Sequence, residues 1–295
     1  MRASLLVVAI VAAAQPAAAY VRTKTSTGTP IAWRRHCPQL VLDAQSNPDL
    51  SQDRLRTAIN HSADAWNGPT ADCANPRLTL SADVSHGRGV SYDDANVVLW
   101  RLPGFCDDTK NAQDEVCTSP NAAAVTTVFY YDKPGSDKDG ELLQVDIELN
   151  STHFSFSDDG SPTKIDLENT LTHELGHVLG LDHTCYTLSG AVPPMDSNGD
   201  PVPSCFPLTQ LSAQVTDATM FNFEAPGETS KRVPKADETS GVCAFYQGRA
   251  DVCEAPDGAG CQFVPHSLVL PVSIGILLGV YALLFILGLY QRRRK

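Results

Sequence analysis

His173, Glu174, His177, Gly180 and His183 stand in the run HELGHVLGLDH, and their types and spacing suit one metal ion and one activated water. Four apart on a helix, the imidazoles of His173 and His177 leave the same face and can reach a common ion. Glu174, beside the first ligand, is placed to take a proton from water held there. His183 cannot join from an unbroken helix, which would carry it ~9 Å along the axis and about 240° around from His177. The chain must therefore turn, and Gly180 tolerates the positive φ that a tight break requires. Three histidines with a fourth position left to water describe a catalytic rather than a structural zinc. A bare HExxH is weak evidence for a metal, whereas the extended five-residue pattern is a specific one.

The elements that must position these residues are legible around them. Asp166 can cap the active helix, and Leu171, Leu175 and Val178 gather about 150° from the two histidines, so one side can be buried while the other faces outward. Residues 51–66 predict an amphipathic helix with Leu55, Ile59, Ala63 and Trp66 on one stripe. Strands are predicted at 77–84, 96–100, 125–131 and 142–149 from their β-branched and aromatic content. Segments 104–120 and 184–215, rich in Pro, Gly, Asp and Cys, read as loops. Helix, strands, site helix, irregular segment and final helix make an α+β domain spanning residues 20–250. That length is enough for a single core, and no repeat divides it.

The motif and its surroundings resemble the metzincin peptidases. HELGHVLGLDH is similar to the matrixin branch, and so are ELLQVDIELN at 141–150, the DLENTLT run leading into His173, and the stretch 227–246 with Gly227-Glu228, Lys231-Arg232 and the ending Cys243-Ala-Phe-Tyr246. The likeness covers roughly 31–250. It implies a twisted mixed sheet with a site helix and a C-terminal helix, a zinc endopeptidase activity with Glu174 as general base, and a methionine turn beneath the zinc. Met220 fits that role by its place before Gly227-Glu228, and Met195 is the other candidate. The resemblance also implies an extended peptide substrate laid against an edge strand, for which 122–131 is the candidate. The family's structural-zinc spacing is missing, although His153 and Asp158-Asp159 stand in that region. Calcium is a further candidate cofactor, with Asp158, Asp159 or the carboxylates of 196–200 as oxygen ligands.

The ends and the cysteines speak to location. Residues 1–19 have the layout of a secretory signal cleaved before Tyr20. Residues 267–290 are 24 uncharged residues followed by a basic cluster at 292–295, which predicts a membrane span with the body outside the cytoplasm. Residues 251–265 form a stalk. Its Cys261, in Gly-Cys just before the span, is a candidate lipid or processing site in a tail that looks like a myxobacterial sorting signal. A permanent anchor is the plainer alternative. Of nine cysteines, eight in the exported body suit four bridges. Local pairing suggests 106–117, 185–205 and 243–253, leaving 37–73. A 185–205 bridge would staple the long insertion between His183 and Met220.

A formal charge of −12 argues against a nucleic-acid partner. The expected partners are a peptide or protein substrate and, through the C-terminal helix, a membrane, with the chain acting as a monomer. A zinc-containing module that binds peptides without cutting them is the alternative, and the retained Glu174 argues against it. Asn60 and Asn150 each begin a glycosylation triplet.

Overall fold

The computed structural model describes residues 20–34, 38–73, 77–187 and 192–247. The signal segment, Cys37, Cys253, the stalk with Cys261, and the proposed span with its basic tail lie outside the described residues. Among the described residues no helix is long and apolar enough to cross a membrane.

In chain order the elements are β1 (Ala32–Trp33), β2 (Gln39–Asp43), α1 (Gln52–Asn67), β3 (Thr79–Ser85), β4 (Asn96–Arg101), α2 (Glu115–Thr118), β5 (Ala124–Tyr130), β6 (Glu141–Asn150), β7 (Phe156–Ser157), β8 (Ile165–Asp166), α3 (Leu167–Val178), α4 (Ala213–Thr216) and α5 (Ala236–Tyr246). The fold is α+β, built on a six-stranded mixed sheet. β1, β4, β2 and β3 run parallel to their neighbours, and β5 alone is antiparallel, paired with β6 from Ala124↔Leu149 to Tyr130↔Leu142. β5 pairs with β6 and with no other named strand, so its outer side is an edge of the sheet.

Helix α1 forms where the apolar spacing calls for it. The Ser51 hydroxyl caps it by accepting from the Arg54 N–H, and Leu55, Ile59, Ala63 and Trp66 are buried. Their stripe packs against α3, where the Trp66 indole donates to the Thr172 carbonyl at 2.8 Å and the Ser62 hydroxyl to the Glu168 carbonyl at 3.2 Å. Each fully buried Leu or Val of α3's inner side (Leu171, Leu175, Val178) contributes about 1.5–3 kcal/mol. The end of α3 is held as firmly. The Trp33 indole donates to the Val178 carbonyl at 2.7 Å, and the Tyr246 hydroxyl to the Leu179 carbonyl at 3.3 Å. Both satisfy acceptors that a helix C-terminus leaves open.

The four strands not anticipated from sequence, β1, β2, β7 and β8, are short. In their described residues, the loops expected at 104–120 and 184–215 are mostly irregular, interrupted by the four-residue helices α2 and α4. Asn150 is fully buried, with its amide donating to the Ala122 carbonyl, which closes that glycosylation triplet to modification; Asn60 is exposed.

Two of the expected bridges form, Cys106–Cys117 and Cys185–Cys205, the second stapling the insertion after His183. The pairings 37–73 and 243–253 are corrected: Cys73, just past α1, bonds Cys243 in α5, with Cα atoms 5.0 Å apart across 170 residues of chain. Proximity in sequence misled because folding lays the last helix against the turn after the first. Closing so long a loop removes about 5 kcal/mol of unfolded-chain entropy in the loop-closure account. The double variant Cys73→Ala/Cys243→Ala is expected to lose about 2–5 kcal/mol, read as a melting temperature lower by roughly 5–15 °C. An unchanged melting curve would contradict a tie between the two helices.

Candidate metal centre

Helix α3 begins where the Asp166 carboxylate accepts the Asn169 N–H at 3.0 Å. Arg232 grips the same carboxylate at 2.8 and 2.5 Å, so the buried cap is charge-paired as well as hydrogen-bonded. The helix ends in the Schellman pattern: the Leu181 N–H returns to the Gly176 carbonyl at 3.0 Å and the Gly180 N–H to His177 at 2.8 Å. Gly180 carries φ +82°, and a Cβ there would stand 2.7 Å from the Ile31 carbonyl oxygen. The corner is bound to the N-terminal segment by Thr23 N–H to Gly180 O at 3.2 Å and Asp182 N–H to Val21 O at 3.0 Å. This turn brings His183 back over the helix.

The three imidazoles converge. His183 Nε2 lies 3.2 Å from His173 Nε2 and 3.1 Å from His177 Nε2. Nitrogens about 2.0–2.1 Å from one tetrahedral ion stand about 3.3–3.4 Å apart, so the spacing fits a single first-row metal. Tautomers agree. His173 Nδ1 faces the Thr219 carbonyl at 2.7 Å and His177 Nδ1 the Leu181 carbonyl at 2.9 Å. A carbonyl only accepts, so each Nδ1 carries the proton and each Nε2 presents a lone pair to the common point. Burial, and then the neighbouring rings, hold His173 well below its ordinary 6.5; burial does the same for His183. Among the described residues these three form the one group of His, Cys, Asp or Glu able to hold a metal ion. Asp158, a candidate calcium ligand, is paired with Arg54.

Met220 lies beneath the site, 1 % exposed, with its sulfur against Gly176 so closely that a Cβ at Gly176 would overlap it. Met195, the other candidate, is 46 % exposed. The Met220 turn is fixed from below by Glu238 of α5, whose carboxylate accepts the N–H groups of Met220 at 3.0 Å and Lys235 at 3.1 Å. The same turn supplies the Thr219 carbonyl to His173, so α5 orients a ligand it never touches.

Glu174 is buried beside the ligands, and burial raises its pKa above the ordinary carboxylate value. Its Oε2 accepts the Thr126 hydroxyl of β5 at 2.5 Å. The edge strand thereby forms one wall of a cleft of about 560 Å³, with α3 and the segment after Met220 forming the rest. Sequence reasoning placed the edge strand but missed Thr126, and it also missed Glu224 and Lys231 on the opposite wall. The alternation of 124, 126 and 128 toward the cleft was available as a signal for Thr126. Nothing comparable marks Glu224. No protein-family model matches the chain, and no curated protein does.

Proposed function

We propose that the protein is an exported zinc endopeptidase of metzincin type, close to the matrixins, tethered at the cell envelope by its C-terminal segment. The observation that carries this reading is three imidazole lone pairs meeting at one point with a buried carboxylate beside them and an open edge strand alongside. Zinc bound there supplies Lewis acidity toward a scissile carbonyl and toward water. His173, His177 and His183 would hold the ion, with the Nδ1–H groups of the first two locked by backbone carbonyls. The free edge of β5 offers main-chain groups to an extended peptide. Glu174, ionised, takes the proton of the attacking water on one oxygen and hands it to the leaving amine. Its other oxygen is held by Thr126. Peptides are thus positioned by β5 and turned over by α3. Export and tethering rest on residues 1–19 and 267–295 of the sequence. The direct test is digestion of a mixed peptide library by the purified chain with elemental analysis of the same sample. One zinc per chain and cleavage stopped by a chelator support the proposal; an intact library in the presence of bound zinc rejects it.

Thr126→Val keeps the shape of the side chain and removes the donor. A hydrogen bond to a charged group contributes about 1.5–3 kcal/mol, so kcat should fall about 10- to 100-fold with little change in KM. The Thr126 bond also favours the ionised acid. Its loss should therefore move the acid limb of the kcat/KM profile to higher pH, and Thr126→Ser should restore both. A profile that stays put would assign Thr126 to packing alone.

A further inference from the structure

Glu224 is a charged group of the cleft that the reaction itself does not use. It sits four residues past Met220, partly exposed toward the cleft, on the wall opposite β5. Its Oε1 accepts the Thr170 hydroxyl at 2.8 Å and its Oε2 the Asn169 amide at 2.8 Å. Asn169 in turn accepts the Lys231 N–H at 2.8 Å, which fixes the loop that carries Glu224 to the start of α3. Thr170 lies three residues before His173 and four before Glu174, on the same helical face, so the carboxylate stands about one turn from the general base along the axis. Glu174 delivers its proton to the leaving nitrogen. The residue that supplies that nitrogen must lie nearest Glu174, and so within about one helical turn of Glu224.

Both partners of Glu224 are neutral donors, and no cation of the described residues pairs with it within 4.0 Å. Lys231, the near cation, has committed its ammonium to the Phe221 carbonyl at 2.8 Å and the Phe223 carbonyl at 2.6 Å. Burial holds the Glu224 carboxyl up to about 7, with the Glu174 charge adding to the rise and Asn169, Thr170 and Lys231 opposing it. A buried acid without a cation gains most from a guest that brings one. The rest of the lining agrees: among the described residues Glu115, Glu174, Asp182 and Glu224 stand against Lys231 as the single Lys or Arg. Apart from the ion held by the histidines, an anionic guest would meet four carboxylates and an ammonium already spent on carbonyls.

Resting on the endopeptidase reading, we infer that Glu224 is a specificity-determining residue: the pocket beside Glu174 accepts a lysine or arginine side chain from the residue just after the scissile bond. The long aliphatic stem of such a residue suits the apolar walls at Ile165, Val128 and Phe223, with the charged head reaching Glu224.

The test uses the full chain loaded with zinc and four fluorogenic peptides that differ only at that position, carrying Lys, Arg, Leu or Glu. The expected kcat/KM for Lys and Arg exceeds that for Leu by about 10- to 100-fold, with Glu the poorest. In Glu224→Gln the ratio of basic to Leu substrate should fall at least about tenfold, and in Glu224→Lys it should invert in favour of the Glu peptide. Zinc content and melting temperature are read on each variant, and the wild-type series decides the question even if a variant does not fold. Leu or Glu preferred by the wild type overturns the assignment of the pocket while leaving the hydrolase intact. Cleavage of none of the four, nor of a mixed library, overturns both.

Discussion

Glu174→Gln is expected to lower kcat by about 10³-fold while the protein keeps its zinc and its fold. General acid–base transfer by a placed side chain contributes about 10²–10⁴ in rate, and here one carboxylate serves both the attack and the departure of the amine. The amide has nearly the same shape, and its oxygen can still accept the Thr126 hydroxyl, so only the proton acceptor is removed. Stability should move the other way. Burial raises the Glu174 pKa. A carboxyl whose folded pKa lies above its unfolded value holds its proton longer when folded, so ionising it costs stability as pH rises from about 4.5 through the folded value. At pH 7 the metal-free Gln variant should therefore melt no lower than the metal-free wild type, the pattern of a residue kept for function at the expense of stability. Measured together, peptide turnover, zinc content and melting temperature separate these effects. Activity within tenfold of wild type would remove Glu174 from the role of base.

How much of this was legible beforehand depends on which force wrote each feature. The stripe of α1 and the cap of α3 are local matters, set by helical spacing and by one carboxylate at Asp166, and the structure keeps them. The Gly180 corner was legible because only a positive φ could carry His183 back to the pair. Strand β6 shows the opposite case. Gln144, Asp146, Glu148 and Asn150 alternate with apolar residues, the pattern usual for a strand with one side in water, yet all are buried. Residues 91–94 and strand β4 cover them. Asp146 accepts the Val97 and Ser91 N–H groups at 2.9 and 3.2 Å, Gln144 accepts those of Asp93 and Asp94 at 2.8 Å, and Glu148 is paired with Arg101. Burial lifts Asp146 to about 6 and Glu148 to about 7. Such satisfaction by segments distant in sequence has no periodic signature. The Cys73–Cys243 bridge and the Glu224 contacts were hidden for the same reason: each joins segments that meet only once the sheet and the helices have closed.

Removing the metal should cost the folded state about 4 kcal/mol when free zinc stands a thousandfold above its dissociation constant. For a domain of this size that corresponds to a melting temperature lower by roughly 8–16 °C in excess chelator. The rings themselves should not scatter, because Thr219 O and Leu181 O still hold two of the Nδ1–H groups and the Gly180 corner still returns the third ring. Zinc added back should therefore restore the melting curve without a refolding step. The proton balance gives an independent check. Zinc takes neutral imidazole, so any proton on a ligand must leave as the ion enters. At pH 6 two imidazoles of ordinary pKa 6.5 would together release about 1.5 protons. His173 and His183 are held well below that value, first by burial, so they are already neutral and should release almost none. Titration calorimetry at pH 6 in buffers of different ionisation enthalpy counts these protons directly. A total release well above one proton, more than His177 alone could supply, would mean that the rings sit in water rather than in the dry, preassembled cluster on which the zinc assignment stands.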